Sequence, residues 1–284
     1  MPLKLPLKLP LKLPLKLPLK LPLKLPLKLP LVIAFNRNHM PSPHTPILCY
    51  HRICPVSERG SDSPSLCVTP EQFHAQMRWL KRFNYKTLSP QTLVACRQGL
   101  KKIPPRSVVL TFDDGYADNF HYAFPILKKF DFTATIFLVT NRIGEKNTWD
   151  KSGTTLLNEK QIEEMLLAGI DFGSHSATHI DMSVEKSEMV RQELESSMQV
   201  LQKLTGRLDI SFCYPYARTS PETIRLVQET KYLCAFAGDR NYAPPDDDIF
   251  NCMRIQVFPS TSLFAFWKKL QPWFPRWAAF QKKL

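Results

Sequence analysis

The chain has 284 residues, 44% of them apolar, enough for one sizeable core of roughly 200–250 residues. Its formal net charge is +13, but residues 1–30 hold seven lysines and no acid, so about half of that excess sits in one short stretch. Outside the C-terminal tail no basic stripe is interleaved with aromatics, which argues against a nucleic-acid partner and leaves a membrane surface or an acidic glycan open.

Residues 1–30 repeat Leu-Pro-Leu-Lys with a period of four. Proline at every fourth position forbids a helix and cannot sit inside a sheet. The lysines interrupt every apolar run, so neither a transmembrane helix nor a signal-peptide core is expected there. An extended segment is the physical expectation, either a translated tandem repeat upstream of a start at Met40 or a Lys/Leu tail that adheres to membranes. Residues 1–39 are therefore set apart from a domain over 40–260 and a tail over 261–284.

From residue 46 onward, short apolar runs alternate with helical patterns. Ile47–His51, Val108–Phe112 and Thr133–Val139 read as buried strands, and Glu71–Phe83 as a helix. Glu159–Ala168 has helical periodicity and meets Gly169, a natural C-terminal cap. Ile170–Gly173 is a short strand, and Lys186–Leu204 a long amphipathic helix closed by Gly206. Ile210–Tyr214, Leu233–Ala237 and Arg254–Phe258 complete the strands, with a helix over Pro221–Thr230. Strands spaced by helices imply an α/β fold with a parallel sheet, open or closed into a barrel, whose chemistry gathers at the carboxyl ends of the strands.

Three of those ends carry unusual residues. Thr111-Phe112-Asp113-Asp114-Gly115 places two adjacent carboxylates after a buried strand. They read as an Asp-Gly turn before a helix capped near Asp118, or as a metal ligand beside a general base, since paired anions repel unless a cation holds one ionised. Gly173-Ser174-His175-Ser176-Ala177-Thr178-His179 sets two histidines four apart, which on a helical turn would share one face and one metal. No glutamate of the HExxH type accompanies them. Phe212-Cys213-Tyr214-Pro215-Tyr216 either shapes a turn or walls a groove. One aspartate and two histidines together form a three-ligand site with positions left for water and substrate.

These motifs resemble those of the polysaccharide deacetylases, the NodB-homology group also known as carbohydrate esterase family 4. TFDDG at 111–115 is similar to the family's first motif, HSATH at 175–179 to the second, and YPY at 214–216 to an altered third. The opening Leu48-Cys49-Tyr50-His51-Arg52-Ile53 resembles the subgroup acting on exopolysaccharides such as poly-N-acetylglucosamine. The resemblance implies a distorted (β/α)7 barrel. It also implies a divalent metal, zinc with cobalt or nickel as alternatives, on Asp114, His175 and His179, with Asp113 as general base and the Tyr216 N–H facing the oxyanion. The substrate class it implies is an acetylated glycan, N-acetylated in the first reading. O-deacetylation or deacylation of a lipid-linked glycan is the alternative, and a non-catalytic glycan-binding protein the reading from another class.

Two departures from the family pattern matter. The third motif usually begins with an arginine that orients the base, and Cys213 stands at that position. Arg254, at the start of the last predicted strand, is the candidate replacement. The family also uses a histidine near the C-terminus as general acid, and no histidine follows His179. His51, at the end of the first predicted strand, is the candidate donor, while His74 and His121 read as structural or solvated.

Seven cysteines, an odd number without CxxC spacing, are expected as buried free thiols in a reducing compartment. Residues 261–284 carry seven aromatics and five basic residues with no acid, and Pro272 and Pro275 divide them. They are too short and charged to span a bilayer, and fit a final helix packed on the barrel or a peripheral membrane contact. The expected location is cytoplasmic or peripheral membrane.

Overall fold

Residues 45–59, 64–238 and 248–281 are described in a computed structural model. The expectations placed on residues 1–39 and on Met40 lie outside the described residues.

Among the described residues ten strands occur in chain order: β1 (Ile47–Tyr50), β2 (Arg52–Ile53), β3 (Cys67–Val68), β4 (Lys86–Thr87), β5 (Ser107–Phe112), β6 (Thr135–Leu138), β7 (Asp171–Ser174), β8 (Phe212–Cys213), β9 (Ala235–Phe236) and β10 (Ile255–Gln256). The α-helices between and after them are α1 (Pro70–Arg82), α2 (Pro90–Arg97), α3 (Phe124–Phe130), α4 (Glu159–Leu167), α5 (Ser187–Thr205), α6 (Pro221–Glu229), α7 (Leu263–Lys269) and α8 (Phe274–Gln281).

The main sheet is parallel and runs β10-β1-β5-β6-β7-β8-β9, with β4 added beside the first half of β5. An isolated parallel bridge between Phe236 and Cys252 ties β9 to the segment that leads into β10, so the curled sheet comes close to closing on itself. Seven strands on one path match the distorted (β/α)7 barrel that the motifs implied. β1, β5 and β6 are buried along their whole length, as expected of parallel strands covered on both faces.

The helices are delimited by local chemistry. Thr69–Gln72 and Asn158–Gln161 form capping boxes at the starts of α1 and α4, and Ser89 and Ser220 cap α2 and α6. α5 ends at Gly206 in the left-handed conformation (φ 68°). At Gly173 a Cβ would meet the Phe137 ring at 2.6 Å and Ser211 Oγ at 2.7 Å, so β7 tolerates no side chain where it presses against its neighbours.

The cysteine expectation needs one correction. Cys54 and Cys67 form a disulfide across 13 residues, with Cα atoms 6.0 Å apart. Linear spacing gave no sign of it, because the pairing comes from the parallel register of β2 on β3, Arg52 opposite Cys67 and Ile53 opposite Val68. That bridge removes the basis for reading the cysteines as a sign of a reducing compartment. The other five cysteines are free and buried, as expected. No helix among the described residues is long and apolar enough to cross a membrane.

Candidate active site

The carboxyl ends of β1, β5, β7 and β8 deliver His51, Asp113 with Asp114, His175 and the Tyr214–Tyr216 turn to one place. The backbone there is under strain. Of nine non-glycine residues with positive φ among the described residues, five belong to these loops: Asp114, Ser176, His179, Tyr216 and Ala217. Each such residue costs on the order of 1 kcal/mol or more, a pattern associated with functional sites.

Asp114 Oδ1 lies 3.4 Å from His175 Nε2 and 3.3 Å from His179 Nε2, and all three side chains are buried. The three donor atoms sit within 4.8 Å of one another. His175 Nδ1 is 2.8 Å from the Cys213 carbonyl, so it donates its proton there and turns Nε2 toward Asp114. Burial lowers the His179 ring below its ordinary pKa and keeps it neutral, as a ligand must be. Burial would raise the Asp114 carboxyl, but the two imidazoles more than offset it and hold it well below the usual range. An anionic oxygen and two imidazole nitrogens fit a zinc-type ion with open positions.

The two histidines do not share a helical turn, as their spacing suggested. They stand on an irregular loop that reverses at Ser176 (φ 67°) and His179 (φ 67°). That loop is fastened by Glu193 on α5. Its Oε2 accepts the backbone N–H groups of Ala177 and Thr178 at 2.9 and 2.8 Å, and its Oε1 accepts the Thr178 hydroxyl at 2.7 Å. Ser176 Oγ adds a bond from the His179 N–H at 2.8 Å. The Glu193 clamp was missed in the sequence, although a signal existed: Glu193 falls on the buried face of α5 with Val190, Leu194, Ser197 and Leu201.

Asp113 points to a different partner. Arg254 Nη1 donates to its Oδ1 at 2.6 Å and Nη2 to its Oδ2 at 2.7 Å, a two-point fork. Arg254 also donates from Nε to the Ala237 carbonyl at 2.9 Å and from Nη1 to Thr111 Oγ1 at 3.2 Å. Burial would raise the Asp113 carboxyl, yet the Arg254 guanidinium overrides it and holds the group ionised well below the usual carboxylate range. Two thiols flank the same carboxylate, Cys49 Sγ at 3.5 Å from Oδ2 and Cys213 Sγ at 3.6 Å from Oδ1. Both are weak donors that spacing gave no reason to select. With both oxygens taken by a cation, Asp113 is a poor ligand for a second one, although it stands near Cys49 with His51 and near His175 with Cys213.

His51 Nε2 lies 3.8 Å from Asp113 Oδ2 with its side chain 17% exposed, so it borders the site and reaches solvent. Tyr216, exposed at the rim, sets its ring edge-on to His179 at 4.6 Å. On the other side Trp149 stacks on His179 at 4.5 Å. Trp149 was not selected from the sequence, because its position depends on the loop between β6 and α4. Asn147 holds that loop by donating to Asp150 Oδ1 at 2.6 Å and accepting the Thr154 N–H at 2.7 Å. Asp118 does not cap a helix with its side chain. It pairs instead with Arg52 Nε at 2.7 Å and accepts the Ile53 N–H. His121 is exposed, and His74 lies half-buried against Phe130.

A family model for polysaccharide deacetylases matches residues 101–235. A Bacillus subtilis (strain 168) protein assigned to the polysaccharide deacetylases is 31% identical over 221 residues, which cover 78% of this chain and 74% of that one. The poly-β-1,6-N-acetyl-D-glucosamine N-deacetylase of Staphylococcus epidermidis is 30% identical over 201 residues, covering 67% and 68%. Among solved structures, a Streptococcus pyogenes deacetylase in complex with acetate superposes with a TM-score of 0.70 at 26% identity, over 80% of this chain and 98% of the other.

Proposed function

This chain belongs to the polysaccharide deacetylase family, whose members are hydrolases of N-acetyl amide bonds, and from that premise we propose that it removes acetyl groups from a β-linked N-acetylglucosamine polymer with the help of a divalent metal. The observation that carries this reading is the pairing of a three-donor N/O set, Asp114, His175 and His179, with a neighbouring carboxylate held ionised by Arg254.

Asp114, His175 and His179 would hold the ion. When bound, a zinc-type ion polarises the acetyl carbonyl and lowers the pKa of a water molecule. Asp113 receives the proton of the attacking water, with Arg254 fixing its orientation. Oxygen bonds to the acetyl carbon, and the Tyr216 N–H faces the developing oxyanion. The C–N bond then breaks, acetate departs, and His51 delivers a proton to the sugar nitrogen, which leaves as an amine. Trp149 and Tyr216 flank His179 and offer flat faces to the sugar ring.

The test is acetate release from β-1,6- and β-1,4-linked N-acetylglucosamine oligomers, by chain stripped of metal and by chain resupplied with zinc, cobalt or nickel. Release that stops on stripping and returns with one of these ions is expected. Release untouched by stripping would overturn the metal assignment. Tight metal binding with no release from any acetylated glycan would favour a glycan-binding protein that keeps the fold.

A further inference from the structure

We propose that the C-terminal helix pair, α7 with α8, is a docking surface for an anionic lipid bilayer. One face of the pair is internal: Phe266, Leu270 and Phe274 are buried, and Trp79 of α1 meets the Phe266 ring edge-on at 6.2 Å. The opposite face is left to solvent with Phe264 67%, Trp267 37%, Trp273 44% and Trp277 42% exposed. Among the described residues six large aromatic side chains are exposed. Tyr216 belongs to the active site, and the other five gather here, since Phe83 lines the groove beside α7. That groove encloses about 580 Å³ between Trp79, Phe83 and Tyr85 on one wall and Leu263, Phe264 and Trp267 on the other.

Charge selects the occupant. Residues 261–284 contain five basic residues and no acid. Lys268 Nζ lies over the Phe264 ring at 5.3 Å and over Trp277 at 5.1 Å, so cation and indole share one surface. Indoles at headgroup depth with lysines against lipid phosphates are the expected interfacial arrangement. A neutral glycan gives no use for those cations, and a de-N-acetylated glycan carries ammonium groups that they repel. Helices of seven and eight residues are too short to cross the bilayer.

The placement fits the chemistry. Tyr85 and Arg106 of the groove immediately precede β4 and β5, at the amino ends of the strands, whereas Asp113, His175 and Tyr216 follow the carboxyl ends of β5, β7 and β8. A chain resting on lipid through α7 and α8 therefore turns its active site away from the bilayer, toward a polymer in solution.

The test mixes the full chain with vesicles of phosphatidylcholine alone or with about 30% phosphatidylglycerol, and reads flotation and tryptophan emission. Expected are co-flotation and a blue shift with the anionic vesicles, and a roughly tenfold weaker partition on phosphatidylcholine. A Phe264→Ser/Trp267→Ser/Trp273→Ser variant and a Lys268→Glu variant should each lose about tenfold in partition while keeping the circular-dichroism spectrum and the rate of acetate release from soluble oligomers. The basic repeat at residues 1–30 is common to all variants, so it cannot produce a difference between them. Equal flotation of wild type and Lys268→Glu, or no flotation at all, overturns the proposal. So does an emission shift with N-acetylglucosamine oligomers and none with vesicles, which would assign the surface to glycan.

Discussion

Arg254 and Asp113 stand 141 residues apart and meet in a two-point fork of 2.6 and 2.7 Å, inside a core where both are buried. The guanidinium approaches from β10, on the far side of β1 from β5, rather than from β8, where the family's third motif would have placed it. Cys213 fills that vacated place, and its thiol lies 3.6 Å from the same carboxylate. The arginine beside β10 thus holds the carboxylate proposed as the base, in place of an arginine at the end of β8.

Arg254→Met should therefore remove both orientation and charge balance from Asp113. We expect kcat/KM for acetate release to fall by about 10²–10⁴ and unfolding stability to drop by about 3–5 kcal/mol, the cost of an uncompensated buried charge. Arg254→Lys keeps the charge and loses the fork, so it should recover part of the stability and little of the rate. A Lys variant with full turnover would show that charge alone suffices.

Glu193 makes a separate prediction, because its contacts are with the histidine loop and not with Asp113. Glu193→Ala removes both acceptor oxygens and leaves the Ala177 and Thr178 N–H groups and the Thr178 hydroxyl without their partner. Zinc affinity, measured by chelator competition, should weaken about 10–100-fold while the fold persists. An unchanged affinity would mean that the loop holds its shape without the clamp.

Strand ends were the legible part of the sequence. β5 is a mostly apolar run that stops on Asp113, a local pattern, and β7, with Phe172 as its one large apolar residue, is marked instead by the His175 and His179 pair that follows it. β4 was not legible: two residues, Lys86 and Thr87, neither of them buried, owe their strand to pairing with β5. The Cys54–Cys67 bridge and the Trp149 wall depend in the same way on register and loop closure, which no window of sequence contains. Glu193 lay between. Its place on the inner face of α5 was readable, but its partners on the loop fifteen and sixteen residues earlier were not. Arg254 was singled out only because the family's arginine was missing at Cys213.

His51 is the remaining titratable side chain that borders Asp113 and reaches solvent. Replacing it by asparagine preserves size and some hydrogen bonding but removes the transferable proton. Turnover on amide substrates should fall by about 10²–10⁴, with zinc affinity unaltered. An activated acetyl ester, whose leaving group needs no proton, should be hydrolysed at close to the wild-type rate. If ester and amide turnover fall together, His51 acts through Asp113 rather than as the proton donor.

Asp118 and Arg52 give a pH-dependent prediction about stability. Burial raises the Asp118 carboxyl to about 6, with the Arg52 guanidinium working against burial. A carboxyl whose folded pKa exceeds its unfolded value binds its proton more tightly when folded, so its contribution is greatest at low pH and is lost as pH rises from about 4 to about 6. In Arg52→Met the opposing guanidinium is gone and the folded pKa climbs higher. Between pH 6 and that new value the wild type no longer changes, while the variant goes on losing about 1.4 kcal/mol per pH unit. The variant also loses the Arg52 bonds to the Glu58 and Arg59 carbonyls, an effect independent of pH. Urea unfolding at pH 5 and pH 8 should therefore show a stability gap between the two proteins that widens at the higher pH. A gap of equal size at both values would mean that Asp118 does not titrate in this range and that Arg52 serves only to tie down the Glu58–Arg59 backbone.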